Sequence, residues 1–236
     1  MKKIIAALLT LIMATALFAG CGQDNGDVDL PVNVGDTTPK PQESTDPGQD
    51  NTPGAALTRE PLGGTGMIAA GSIHNVGLRT NGTTVSGGHD RYGQRRISDW
   101  KDLVFVAANK SATIGVKADG SALFAGEMTG SEAVSGWSNV YMAAMGGDFA
   151  VALLNDGTVT GTSGAPDVSA WSDMVWVAAG ESFAIGLKSD GTVAATAGAP
   201  DVSAWANMVK IAAGADRAAG ITAEGLSLIH ISEPTR

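Results

Sequence analysis

Short runs of alternating apolar and small or polar residues recur along the second two-thirds of this chain. Residues 183–188 read Phe-Ala-Ile-Gly-Leu-Lys, a period of two that predicts a β-strand with one buried face. Asp190-Gly191 follows and leads into residues 192–194, which predicts a tight hairpin turn and a second strand. Val175 and Val177 alternate in the same way and predict a strand ahead of this hairpin. Each unit is therefore expected to hold three or four short antiparallel strands.

The same unit occurs five times at nearly constant spacing. An alanine pair opens each copy, and segments 165–171 and 199–205 are identical. The structural positions that mark the repeat are the glycines after the alanine pair, the glycines of the hairpin turns and four tryptophans: Gly71, Gly180, Gly214; Gly82, Gly120, Gly157, Gly191; and Trp100, Trp137, Trp171, Trp205. The turn positions are 34 to 38 residues apart. A period of this length is typical of propellers and solenoids.

This repeat predicts an all-β fold, a partial β-propeller with three or four antiparallel strands per blade. Small Ala and Gly residues would let the blades approach each other near the axis, and each tryptophan would fill space between blades at the wider rim. A helical repeat is excluded because 32 glycines, several of them in regularly spaced turns, would break helices of this length. A flat β-solenoid stays open as the alternative.

The first copy carries a resemblance to a known family. Gly77-Leu78 precedes Asn81-Gly82-Thr83, and residues 90–94 read Asp-Arg-Tyr-Gly-Gln. This pattern resembles the repeats of the regulator of chromosome condensation (RCC1-like) family in their short bacterial form, with Asp for the Asn of the family's Asn-x-x-Gly-Gln motif. Later copies shorten or change this loop. The resemblance implies a propeller, commonly seven-bladed, and the changed loops leave the binding specificity of this chain open.

The N-terminus has the form of a secretory signal. Residues 1–20 hold two lysines and then an apolar stretch that is too short for a membrane span, and Cys21 follows directly. Phe18-Ala19-Gly20-Cys21 resembles a bacterial lipobox, which predicts lipidation of Cys21, the only cysteine. Two acyl chains on one residue give stable anchoring. An ordinary signal peptide beside a chance cysteine is the alternative.

Residues 21–62 form the predicted tether. They hold six of the nine prolines, eight acidic side chains against Lys40 and Arg59, and no aromatic residue. Such a segment cannot bury enough apolar surface to offset the entropy of ordering it, so we expect an extended, disordered acidic spacer.

The repeat pattern changes after Glu224-Gly225. Residues 63–225 would hold four complete repeats and a fifth cut short, and residues 226–236 resemble a translated sequencing adapter that is not native to the protein. A genuine strand over 228–231 is the alternative. If the propeller is incomplete, two blade faces lack neighbours, so we expect the chain to aggregate or to be sensitive to proteases, and the natural gene to continue for two or three repeats.

Composition and charge limit the chemistry. A net charge of −9 argues against nucleic acid as a partner, because phosphate binding needs a basic surface. His74 and His89 are the only histidines in residues 63–225, with no thiol, so neither a His/Cys metal site nor a catalytic triad is predicted, and no cofactor. The acids of the Asp-Gly pairs are expected to be turn residues.

The expected function is therefore binding without catalysis by an exported module. The two longest polar loops, residues 89–96 and 127–132, are the predicted contact regions. The candidate binding residues are His89, Asp90, Arg91, Tyr92, Gln94, Arg95 and Arg96.

The predicted partner is an extracellular protein or glycan, with the membrane contacted through the lipid alone. The resemblance brings two other roles. Bacterial relatives include secreted propellers that inhibit enzymes, whereas the eukaryotic role of nucleotide exchange on small GTPases does not fit an exported lipoprotein. A glycan-cleaving or other hydrolytic propeller is the competing enzyme hypothesis, with its site in blades that the chain lacks.

Overall fold

A computed structural model describes residues 57, 59, 62–63 and 66–231 of the chain. The predicted signal peptide, Cys21 and most of the tether lie outside this part. The strands are β1 Met67–Ala70, β2 His74–Leu78, β3 Thr84–Gly88, β4 Leu103–Ala108, β5 Ala112–Lys117, β6 Ala122–Gly126, β7 Val140–Met145, β8 Ala150–Leu154, β9 Val159–Gly161, β10 Met174–Ala179, β11 Ala184–Lys188, β12 Val193–Ala195, β13 Met208–Ala213, β14 Arg217–Thr222 and β15 Ser227–Ile231. A 3-10 helix spans Ser131–Gly136, and no helix among the described residues is long and apolar enough to cross a membrane.

The strands form five sheets, each made of three consecutive antiparallel strands. We call them sheets 1 to 5 in chain order and name their strands inner, middle and outer. The first strand of each sheet contacts the first strand of the next, so the sheets converge along these inner strands. This confirms the all-β prediction and the partial propeller, with three strands per blade.

Small residues lie where the inner strands end and come close together. A Cβ on Gly71 would stand 1.9 Å from the carbonyl oxygen of Asn109 in the next sheet, and a Cβ on Gly180 would stand 2.6 Å from that of Gly214. A side chain at Gly71 or Gly180 would therefore clash with the neighbouring sheet. The third copy differs in register, since Met145 pairs with Ala150 where Ala179 pairs with Ala184 in sheet 4, so Ala143-Ala144 lies one residue ahead of the other alanine pairs.

Each interface between sheets pairs the same repeat positions. Val76 and Leu78 of the middle strand β2 pack in one cluster with Val106 of the next inner strand. Ile185, Leu187 and Ile211 repeat this arrangement between sheets 4 and 5. All of these side chains are almost fully buried. The hydrophobic core therefore lies between the sheets, as repeat architectures require.

The tryptophans fill the remaining space between sheets. The ring of Trp171 lies over Gly186 of the following middle strand, 2.9 Å from where a Cβ would stand, and Trp205 lies over Gly220 in the same way. Each of these two rings therefore packs on the middle strand of the sheet that follows it, and a position at the wider rim stays a prediction.

The hairpin turns join each sheet to the next. Gly120 and Gly157 have φ of 80° and 89° in these turns, a region that favours glycine. The Gly120 carbonyl accepts a hydrogen bond of 2.9 Å from the amide of Val140, the first residue of the next inner strand. Gly82, Gly157 and Gly191 accept equivalent bonds. The turn glycines of the repeat therefore support both the hairpin and the sheet-to-sheet contact.

The outer faces of sheets 1 and 5 have no neighbouring sheet among the described residues. Ile68 and Val85 on sheet 1 are 58% and 43% exposed, and Ile229 on sheet 5 is 65% exposed. This is the pair of bare faces that the repeat count predicted. Ser227–Ile231 occupies the outer-strand position of sheet 5, which is the alternative stated above for this stretch. Its non-native origin and the continuation of the natural gene stay predictions.

Candidate binding groove

A groove of about 680 Å³ opens at the end of the sheets where inner strands pass to middle strands. It is shaped by the inner-to-middle turns of sheets 2, 3 and 4 and by the loops that leave β3 and β6. The lining residues are Tyr92, Lys110, Ser111, Glu127, Met128, Thr129, Gly147, Asp148 and Glu181. We call this surface the groove.

Hydrogen bonds between sheets hold the walls of the groove in place. The buried Asn109 donates through Nδ2 to the Gly146 carbonyl at 3.0 Å, while its Oδ1 accepts from the amides of Ser111 and Ala112. The Gly147 amide donates to the Glu181 carbonyl at 3.0 Å. Turns from three consecutive sheets are therefore fixed relative to one another before any ligand arrives.

The groove carries more negative than positive charge. Glu127, Asp148 and Glu181 are carboxylates, and Lys110 is the one cation among the lining residues. The Asp148 carboxylate accepts hydrogen bonds from the hydroxyl and the amide of Thr129, and these bonds lower its pKa, with Lys110 adding to the effect. Asp148 is therefore ionised at neutral pH, and its bonds to Thr129 tie the β6 loop to sheet 3.

The structure brings the two predicted contact loops together at the groove. Tyr92 from loop 89–96 and Glu127, Met128 and Thr129 from loop 127–132 line it. The Arg91 guanidinium lies 5.8 Å from the centre of the Tyr92 ring. Of the remaining candidates, His89, Asp90 and Arg96 are exposed but do not line the groove.

Two candidates in loop 89–96 support the loop. Gln94 is fully buried, and its side-chain oxygen accepts the Tyr92 amide at 2.9 Å. The Arg95 guanidinium donates to the carbonyls of Ser86 and Gly88. Gln94 therefore holds the backbone of Tyr92 in position, and Arg95 ties the loop to β3.

His74 is buried between sheets 1 and 2. Its Nε2 lies 2.9 Å from Oγ1 of Thr113, and that hydroxyl donates to the Gln94 carbonyl at 2.8 Å. Because the Thr113 proton is committed to Gln94, Nε2 of His74 is the donor. Burial, with the nearby Arg95 cation, lowers its pKa despite the opposing effect of Asp90. These contacts give His74 a packing role between sheets 1 and 2.

The acids of the Asp-Gly pairs form turns. The Asp156 carboxylate accepts the amide and the hydroxyl of Thr158 two residues further on, and Asp119 and Asp190 repeat this with Ser121 and Thr192. These bonds lower the pKa of all three carboxyls. Between residues 66 and 231, no group of three or more His, Cys, Asp or Glu side chains could hold a metal ion.

Sequence reasoning missed one repeated position. The residue before each of the inner strands β4, β7, β10 and β13 has a positive φ of 54° to 61°, in a region where Asp and Asn are several-fold enriched. These residues are Asp102, Asn139, Asp173 and Asn207. Each follows its tryptophan by two residues, so the spacing of Asp or Asn after Trp was the available signal.

Comparison with solved structures places the fold among propellers. The chain matches the CRINKLY WD40 ectodomain of the Arabidopsis thaliana receptor kinase ACR4 with a TM-score of 0.56 and 19% identity, covering 72% of this chain and 67% of that one. It matches human WBSCR16 with a TM-score of 0.54 and 16% identity over 69% and 60% of the two chains. Yeast RCC1 (Prp20), crystallised with Kap60, matches with a TM-score of 0.51 and 15% identity over 66% and 53%.

These likenesses show an RCC1-like β-propeller fold. The match spans about half to two-thirds of the length of those structures. No family model matches the sequence, and no curated protein does.

Proposed function

We propose that this chain is an exported lipoprotein, anchored through Cys21, that presents its propeller as a module for binding a protein or glycan, without catalysis. The observation that carries the binding role is the groove. Four successive sheets contribute to it, its walls are fixed by hydrogen bonds between sheets, and the half-buried Tyr92 stands at its edge.

Pre-formed walls favour recognition, because little ordering entropy is lost when a ligand binds. Aromatic side chains such as Tyr92 supply contact area at a low entropic cost and are enriched at protein interfaces. One solved structure with a similar fold, yeast RCC1, was crystallised with the protein Kap60 bound to it.

A binding screen with matched variants tests the role of the groove. The purified chain is presented to an array of envelope glycans and to solubilised envelope proteins, alongside Tyr92→Ala and Glu181→Ala. Glu224→Ala serves as the control, because Glu224 is an exposed acid in a hairpin turn at the opposite end of the sheets. We expect the two groove variants to weaken any captured ligand at least tenfold and the control to leave it unchanged. Equal binding by all four proteins would contradict the proposal.

Membrane anchoring is tested separately from binding. In a bacterial host fed an alkyne analogue of palmitate, the wild-type chain is expected to incorporate the label and to sediment with membranes. Cys21→Ser should lose the label and leave the membrane fraction. A Cys21→Ser protein that still sediments with membranes, with the label on another residue, would refute anchoring through Cys21.

A further inference from the structure

The side chain of Arg59 occupies a built site at the hairpin-turn end of sheets 3 and 4. Its Nε and Nη2 donate to the Met174 carbonyl at 3.2 and 2.6 Å, and its Nη1 donates to the Asn155 carbonyl at 2.8 Å. The guanidinium also lies 5.3 Å from the centre of the Tyr141 ring, a cation–π distance. Two backbone carbonyls from different sheets and an aromatic face thus converge on one planar cation.

Other residues near Arg59 contact the neighbouring sheets. The Leu57 amide donates to the Ser189 carbonyl at 2.6 Å, and its side chain packs on the core between sheets 4 and 5. Leu62 packs on the core of sheets 2 to 4. Gly63 lies against Val104, with 3.0 Å between its would-be Cβ and a methyl carbon of Val104. The chain therefore meets four sheets with three apolar contacts and one cation before it enters β1.

The geometry of this site suits arginine better than lysine. Arginine carries a rigid fork of donors that can serve two acceptors at once and can stack on an aromatic ring, whereas lysine carries a compact ammonium. Burial lowers the pKa of the Arg59 guanidinium, and the nearby Asp156 carboxylate partly opposes that effect. Two carbonyls in fixed positions and an aromatic face together match the planar fork of an arginine side chain.

We propose that the hairpin-turn end of β7 and β10 is a recognition site for an arginine-bearing peptide, and that the chain fills it with its own segment around Arg59. The acceptors are the Met174 and Asn155 carbonyls and the Tyr141 ring, and the apolar flanks take Leu57 and Leu62. Covalent linkage gives this segment an effective concentration in the millimolar range, so it outcompetes free peptides at lower concentration.

The position of this site also bears on how the groove is presented. The inner strands run about 20 Å from the Arg59 site to the turns that line the groove, at 3.3 Å per residue. Resting on the proposed anchoring, docking at Arg59 attaches the tether to the end of the propeller opposite the groove. The groove then lies at the end of the propeller that the docked tether leaves open.

A peptide-binding experiment tests the site without reference to anchoring. The full chain carrying Leu57→Ala, Arg59→Ala and Leu62→Ala together has an emptied site. A fluorescent peptide with the sequence of residues 54–66 is expected to bind this variant at least tenfold more tightly than the wild-type chain. The same peptide with Arg59→Lys is the matched ligand, and we expect it to bind the variant at least fivefold more weakly. Equal binding of the peptide to the variant and to wild type, or equal binding of the two peptides to the variant, would overturn the proposal.

Hydrogen exchange gives a second readout that needs no added peptide. In Arg59→Lys, which keeps the charge, the Leu57 amide should exchange at least tenfold faster while amides of β8 stay protected. Arg79→Lys is the control, since the Arg79 guanidinium bonds to Thr83 and Thr84 of its own sheet. Unchanged exchange at Leu57 in Arg59→Lys would contradict docking through the guanidinium. Neither measurement depends on Cys21, so failure of anchoring and failure of this site are distinguishable.

Discussion

The interfaces inside the sheet array and the two faces at its ends are built from the same repeat positions but have opposite environments. Val177 on the inner strand of sheet 4 is 1% exposed, and Ile68 at the equivalent position of sheet 1 is 58% exposed. The difference comes from the neighbour, because sheet 3 covers Val177 and no described sheet covers Ile68. Gly180 and Gly214 show the same contrast. A Cβ added to Gly180 would stand 2.6 Å from the carbonyl oxygen of Gly214 in the next sheet, whereas a Cβ added to Gly214 would have no atom within 4 Å.

This comparison shows that a repeat residue contributes to stability through the sheet beside it. Val177 and Ile68 are both β-branched apolar side chains, and they differ only in how much of their surface a neighbouring sheet buries. In an array of this kind, stability is approximately the sum of repeat terms and nearest-neighbour interface terms. The two outermost faces therefore add no interface term to the stability, and their apolar side chains stay exposed to solvent.

The largest expected effect comes from placing a charge at the two equivalent positions. Val177→Asp would bury an unpaired carboxylate between sheets 3 and 4 and should lower the free energy of unfolding by about 3–5 kcal/mol. Ile68→Asp places the same group in solvent and should change it by no more than about 0.5 kcal/mol. Urea denaturation followed by tryptophan fluorescence measures both. Similar losses in the two variants would show that sheet 1 has a covering neighbour.

A smaller effect is expected from adding one methyl group at the middle-strand glycine. In Gly186→Ala the new Cβ would stand 2.9 Å from the Trp171 ring and 2.8 Å from Sδ of Met174, so overpacking should cost about 1–3 kcal/mol. Gly77→Ala is the matched control on the bare face. Its Cβ would meet only Val85, at 3.0 Å, and Val85 is 43% exposed and free to move. In thermal denaturation, the melting temperature of Gly186→Ala should lie well below that of Gly77→Ala. The reverse order would refute this account.

A still smaller effect is expected from pH at the interface of sheets 1 and 2. The pKa of His74 is lowered in the folded chain, mainly by burial, while unfolded histidine titrates near 6.5. Well above pH 6.5 His74 is neutral in both states, so its titration adds no pH dependence to the free energy of unfolding. Below it the unfolded chain binds a proton that the folded chain resists, so the free energy of unfolding falls.

The repeat itself suggests the substitution that tests this pH dependence. Sheets 3 and 4 carry Phe149 and Phe183 at the position of His74, so His74→Phe keeps a ring and removes the titration. We expect the melting temperature of wild type to fall more steeply between pH 7 and pH 5 than that of His74→Phe. Parallel curves would show that His74 does not carry this dependence.

Substitutions on the bare faces of sheets 1 and 5 are expected to have the smallest effect on folding stability. They should have a clear effect on self-association. Ile68→Lys combined with Ile229→Lys adds charge to both exposed apolar patches and should leave stability within about 0.5 kcal/mol of wild type. The monomer fraction in analytical ultracentrifugation should rise in this double variant, because exposed apolar surface drives association. A wild-type chain that is monomeric at all concentrations would contradict the expectation of aggregation.

Much of the fold could be predicted from the sequence, because the signals for strands and turns lie within short stretches of the chain. Alternation in residues 183–188 and the Asp190-Gly191 turn define a hairpin within a dozen residues, and repetition multiplies that signal five times. The Asp and Asn residues with positive φ were missed because their signal lies in spacing relative to tryptophan and not in any local run. The groove was predicted in part. Loops 89–96 and 127–132 were recognised as polar, but their meeting with Lys110, Asp148 and Glu181 depends on how successive sheets rotate.

By itself, the sequence determined the strands, the turns and the repeating unit, because these depend on the side-chain pattern and backbone preferences of neighbouring residues. The tertiary structure alone decided which copies of a position are buried, as Val177 and Ile68 show, and which loop residues share the groove. It also decided that Arg59, one of two cations in an acidic tether, meets two carbonyls and an aromatic ring. Burial and long-range contact depend on which sheet lies beside which, and no single repeat encodes that.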